Sequence, residues 1–111
     1  DRRQNGRGGS WALVADPELR SGGVHRTGRN GFLNIHADFT VHPNLPNLQR
    51  RLNLLIYLTP NWLAEWGGEL ELWYTDMTER RVSYTPEFNT AILFATDANS
   101  FHGCPSPLQT P

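Results

Sequence analysis

Polar and apolar residues alternate along this chain in short runs, and the period of the alternation is two. Arg51 to Thr59 shows it best. One parity carries Leu52, Leu54, Ile56 and Leu58; the other carries Arg51, Asn53, Leu55 and Tyr57. Successive side chains of a strand point to opposite faces, so this stretch predicts a strand with an apolar face on a core and a mostly polar face lining a cavity. Shorter runs of the same kind predict strands over Phe32 to Thr40, Glu69 to Tyr74, Arg80 to Tyr84 and Thr90 to Thr96, with a brief one at Val24 to Thr27. Turn chemistry separates them. Pro43, Pro46 and two asparagines make Val41 to Gln49 a loop, Asp76 to Glu79 is a hairpin link, and Pro86 to Asn89 is a turn. Gly67 and Gly68 supply positive φ after Trp66, which predicts a structural turn with Trp66 packed beside it. No helical period is sustained after residue 20. Short strands at regular spacing predict an all-β sandwich or barrel, and the pattern leaves jelly roll, immunoglobulin-like and simple barrel folds all open.

Length and composition narrow the function. A chain of 111 residues is a single domain, here with residues 1–10 as a flexible polar lead-in. The net charge of -1 offers no basic field, so nucleic acid is not an expected partner. No apolar run is long enough to span a bilayer, and no signal peptide is evident, so no membrane association is expected. All ten cationic side chains are arginine, which removes lysine Schiff-base chemistry. The lone Cys104 excludes an internal disulfide and a thiolate zinc cluster. It fits a reducing compartment, and a cytoplasmic location is the expectation. Nothing here specifies an oligomeric state.

The candidate chemistry lies in His36-Ala37-Asp38. On a strand, His36 and Asp38 project to one face with Asn34, while Leu33, Ile35 and Ala37 point away. Two histidines and one carboxylate form the ligand set of non-haem Fe(II) sites with open coordination positions. His102, in a loop after the last predicted strand, is available as a third ligand. So are His25 and His42, and spacing alone does not choose among them. The arginine pairs Arg50-Arg51 and Arg80-Arg81 read as solvated strand ends, and Cys104 as a small loop residue.

Four stretches carry a resemblance. They are Gly31-Phe-Leu-Asn-Ile-His-Ala-Asp-Phe39, Arg50-Arg-Leu-Asn-Leu-Leu-Ile-Tyr-Leu-Thr59, Trp66-Gly-Gly-Glu-Leu-Glu-Leu-Trp73 and Asn99-Ser-Phe-His-Gly103. In this order they resemble the prolyl 4-hydroxylase-like branch of the 2-oxoglutarate- and Fe(II)-dependent dioxygenases. The resemblance implies a double-stranded β-helix, a jelly-roll barrel, with its metal-bearing strands between residues 22 and 107. It implies His36, Asp38 and His102 as iron ligands and catalytic residues. It also implies Tyr57 as a contact to the distal carboxylate of 2-oxoglutarate, with Asn53 lining the same pocket and His25 as a co-substrate contact. The implied reaction hydroxylates a C–H bond of a peptidyl or small-molecule substrate with dioxygen, releasing succinate and carbon dioxide. Ascorbate is a plausible auxiliary reductant. Relatives carry a basic residue soon after the distal histidine that holds the distal carboxylate, and none lies between Gly103 and Pro111. The expectation is therefore a fragment lacking its last strand. The alternative is a jelly-roll binding or structural module with a vestigial metal site; a cupin-like metalloenzyme is disfavoured by the His-x-Asp spacing.

Overall fold

The computed structural model describes residues 12–111, and the expected lead-in at residues 1–10 lies outside them. Six strands form: β1 (Leu33–His36), β2 (Leu52–Tyr57), β3 (Leu70–Trp73), β4 (Arg80–Tyr84), β5 (Thr90–Ala95) and β6 (His102–Cys104). One 3-10 turn, Ala64–Trp66, is the helical element among the described residues. The strands make two antiparallel sheets, one ordered β1-β6-β3-β4 and one pairing β2 with β5. The all-β expectation is met.

Each strand has a local cause. β2 and β5 pair in unbroken register from Leu52↔Ala95 to Tyr57↔Thr90, as expected of two runs of β-branched, aromatic and leucine residues. β3 and β4 form a hairpin whose turn is tied by Asp76. Its Oδ1 accepts from the Thr78 amide at 3.0 Å and the Thr78 hydroxyl at 2.7 Å, and both bonds hold the carboxyl below its usual pKa. Gly67 and Gly68 sit at φ of 73° and 80°, and Trp62 packs edge-on against Trp66 beside them, as the turn chemistry predicts. The loop at 41–49 also forms, closed by a Val41↔Gln49 bridge.

Three strand placements fail. Val24 to Thr27 is not a strand: among the described residues none pairs with it, and Val24 is almost fully exposed. A strand without a neighbour has no ladder to satisfy its backbone. His102 is not in a loop but opens β6, whose His-Gly-Cys sequence carries no alternation to reveal it. The strand expected over Phe32 to Thr40 stops at His36. Its pairing runs from Leu33↔Cys104 to His36↔His102, so β1 spends one more residue than β6 over the same span. That is a bulge between Leu33 and His36, the kind of irregularity that disrupts a ladder locally.

The polarity of β2 is inverted relative to the expectation. Leu52, Leu54, Ile56 and Leu58 are 42–62% exposed. The inner face is the mixed one. Leu55 and Tyr57 pack with Leu72 and Cys104 around the buried Leu70, Ile92 and Phe94. The two sheets meet there, and Phe94 carries the core up to His102, with ring centroids 4.8 Å apart.

Candidate metal centre

β1 and β6 build the centre. His36 and His102 are direct cross-strand partners, with ring centroids 4.6 Å apart. Antiparallel neighbours come this close only if nothing wedges the backbones apart. Gly103 sees to that: a Cβ there would lie 2.7 Å from the carbonyl oxygens of Leu33 and Asn34. Asp38 follows just past the end of β1. Its Oδ1 lies 3.4 Å from His36 Nε2, and its Oδ2 lies 3.2 Å from His102 Nε2. One donor atom from each of the three residues falls within 4.8 Å of the others.

Both imidazoles are held the same way. His36 Nδ1 is 2.8 Å from the Asn34 carbonyl, and His102 Nδ1 is 2.8 Å from the Ser100 carbonyl, each two residues back. A carbonyl can only accept, so each Nδ1 carries a proton and donates it. In the neutral ring that leaves the Nε2 lone pair free, and both Nε2 atoms face Asp38. Two lone pairs aimed at a carboxylate repel unless a proton or a metal cation lies between them. Asp38 Oδ2 is itself buried with no aligned hydrogen-bond donor, and the Arg50 guanidinium stands 2.8 Å from it. Ligands of a first-row metal at ordinary bond lengths sit about 3 Å apart, which these separations approach. The donor set fits a divalent ion, with two nitrogens and one oxygen on one side.

Arg50 is a surprise. It read as a solvated strand end, yet it is 18% exposed and its Nη1 lies 2.8 Å from Asp38 Oδ2. The guanidinium also stacks 4.2 Å from the centroid of the Phe39 ring. The loop at 41–49 brings it back, because the Arg50 amide donates to the Thr40 carbonyl at 2.7 Å. A loop of that length hides its closure from any local pattern.

The profile of the 2OG-Fe(II) oxygenase superfamily, where 2OG is 2-oxoglutarate, matches residues 22–110. The chain belongs to that superfamily. No curated protein and no solved structure shows significant similarity to it. For an oxygenase of this superfamily, which implies Fe(II) and 2-oxoglutarate, the cluster of His36, Asp38 and His102 is a centre that could hold the metal. The other residues expected at the site are dispersed. Tyr57 and Asn53 lie on the inner face of β2, half-buried, with Asn53 opposite Phe94 in register. Burial, and then the neighbouring Cys104, push the Tyr57 hydroxyl up to about 12. Burial, followed by Glu71 and Glu69, also raises the Cys104 thiol. His25 is exposed and opens on a groove of about 360 Å³ with Arg26, Trp62 and Trp66; it does not converge with the triad. His42 is buried elsewhere, donating from Nε2 to Asp16 at 3.1 Å while its Nδ1 accepts the amides of Asn44 and Leu45. With both ring nitrogens engaged, it has no lone pair left for a metal. Among the described residues no helix is long and apolar enough to cross a membrane.

Proposed function

We propose that this oxygenase is a hydroxylase of the prolyl 4-hydroxylase-like branch, built on a double-stranded β-helix, and that His36, Asp38 and His102 hold its Fe(II). One observation carries the reading: both Nδ1 protons are committed to backbone carbonyls, so both Nε2 atoms face the half-buried Asp38 carboxylate. Arg50 offsets the carboxylate charge from one side, and a divalent ion among the three ligand atoms would stabilise the arrangement further. When bound, iron and 2-oxoglutarate supply the redox chemistry, coupling decarboxylation to hydroxylation of a substrate C–H bond with release of succinate and carbon dioxide.

The protein's own part is geometry. The Asn34 and Ser100 carbonyls fix the ring tautomers and orient both imidazoles. Asp38 lowers the net charge of the site by one. Three protein ligands leave positions open for the 2-oxo acid group and dioxygen. Phe94 closes the inner side beside His102 and keeps it dry. Tyr57, neutral at any physiological pH, is suited to donate a hydrogen bond to the distal carboxylate of 2-oxoglutarate, and Asn53 projects from the same face of β2. Ascorbate, as a reductant that returns iron to Fe(II), would sustain turnover. The substrate is a peptidyl residue or a small metabolite, approaching past the loop at 41–49.

Anaerobic addition of Fe(II) and 2-oxoglutarate should give a weak visible charge-transfer band. Asp38→Ala should abolish it together with metal binding measured by calorimetry. A band of equal intensity in Asp38→Ala would sink the assignment.

A further inference from the structure

We propose that Arg50 is a positioning residue for the metal centre: its guanidinium pins one oxygen of Asp38 and leaves the other as the single ligand atom. The proposal rests on the metal-binding reading above. The two carboxylate oxygens of Asp38 have different surroundings. Oδ2 faces Arg50 Nη1 at 2.8 Å and His102 Nε2 at 3.2 Å, whereas Oδ1 faces His36 Nε2 at 3.4 Å. The Arg50 N–H is not aligned on Oδ2, so the contact acts through charge rather than as a directed hydrogen bond. Charge is effective there because both partners are mostly withdrawn from water, at 18% and 19% exposure.

Arg50 is itself held in place. Its guanidinium stacks on Phe39, the residue after the ligand, and its amide is tied to Thr40. The cation therefore has little freedom to follow Asp38; instead Asp38 must orient to it. Its neighbour behaves differently. Arg51 spends its guanidinium on Gln49 Oε1 at 2.6 Å and does not reach the triad. A carboxylate pinned through Oδ2 binds an ion through Oδ1 alone. Released, it would rotate and offer both oxygens, filling a coordination position that a 2-oxo acid and dioxygen need. Lysine is a point charge on a flexible stem and lacks the planar face for stacking, so it would replace only part of this.

The test uses Co(II) as a spectroscopic probe with the full chain, its affinity read by calorimetry and its ligand field by visible absorption. Arg50→Ala should weaken Co(II) binding by about 10–100-fold, the usual loss for a group that orients a ligand. It should also change the visible bands as the carboxylate becomes bidentate. Arg50→Lys should recover part of both, Phe39→Leu should show a smaller loss, and Arg51→Ala should show none. Arg50→Gln carries the same expectation as Arg50→Ala should the alanine variant not fold. Affinity and bands unchanged, or binding tightened, in a folded Arg50 variant would overturn the positioning role alone. Absence of Co(II) binding in the unsubstituted chain would overturn the metal reading and this proposal with it.

Discussion

At the scale of single residues, the centre depends on what is missing at Gly103 as much as on what is present at His36, Asp38 and His102. A methyl at Gly103 would press on two backbone carbonyls, which cannot swing aside as a side chain can. Gly103→Ala should therefore push β1 from β6, cost about 1–3 kcal/mol by overpacking, and weaken metal binding by separating the cross-strand histidines. Chemical denaturation and metal calorimetry on the same variant check both halves; a destabilised protein with unchanged metal affinity would show that the histidines do not depend on this close approach. Tyr57 gives a pH prediction. Burial pushes its hydroxyl up from the ordinary 10.0 to about 12. The fold thus prefers the neutral phenol. Stability should be untouched by this group below the unfolded pKa and should fall as pH rises from there toward about 12, because the unfolded chain ionises first. Alkaline denaturation of Tyr57→Phe should show a weaker fall than the parent over that window. Cys104, also raised, should react slowly with thiol reagents at neutral pH, since the thiolate is the reactive form.

At the scale of elements, the strands that alternate were legible and the ones that do not were hidden. β2, β3, β4 and β5 fall within two residues of where their period places them, because their pairing and their patterning agree. β6 could not be read from His-Gly-Cys; it exists because β1 and β3 flank it on both sides. The bulge in β1 is likewise a property of the pair. Strand parity places His36 and Asp38 on one face, but β1 ends at His36 and Asp38 lies beyond it. The sense of β2 was misread for a plain reason: period two says which residues share a face, not which face is inside. Its answer came from Ile92 and Phe94 across the pair, which bury the side holding Leu55 and Tyr57. Paired substitutions test the inversion. Leu55→Ala should cost about 2 kcal/mol or more, as expected for a leucine in a core cluster, whereas Leu54→Ala on the exposed face should stay within about 0.5 kcal/mol. Urea titrations with equal m-values would measure it. The reverse order would restore the apolar parity to the interior.

At the scale of the whole molecule, the triad joins parts of the chain that are far apart in sequence. His36 ends the first strand with Asp38 just past it, His102 begins the last, and β2 to β5 lie between them. The core that holds these elements is small: among the described residues the buried hydrophobic side chains are Leu70, Ile92, Phe94 and Leu108. Meanwhile Leu52, Leu54, Ile56 and Leu93 leave apolar area in water that contributes nothing to folding. A modest core makes any ligand of the folded state a large fraction of total stability. An ion held by three side chains that converge only after β1 and β6 pair has no comparable site in the unfolded chain. At a hundredfold excess over its dissociation constant it should add about 2.7 kcal/mol, a rise in melting temperature on the order of 10 °C for a chain this size. A chelator should reverse the rise, and Asp38→Ala should melt at the same temperature with and without metal. A melting temperature indifferent to metal, in a protein whose metal binding calorimetry has established, would mean that the unfolded chain holds the ion as tightly as the fold does. The cross-strand geometry of β1 and β6 would then not be where it binds.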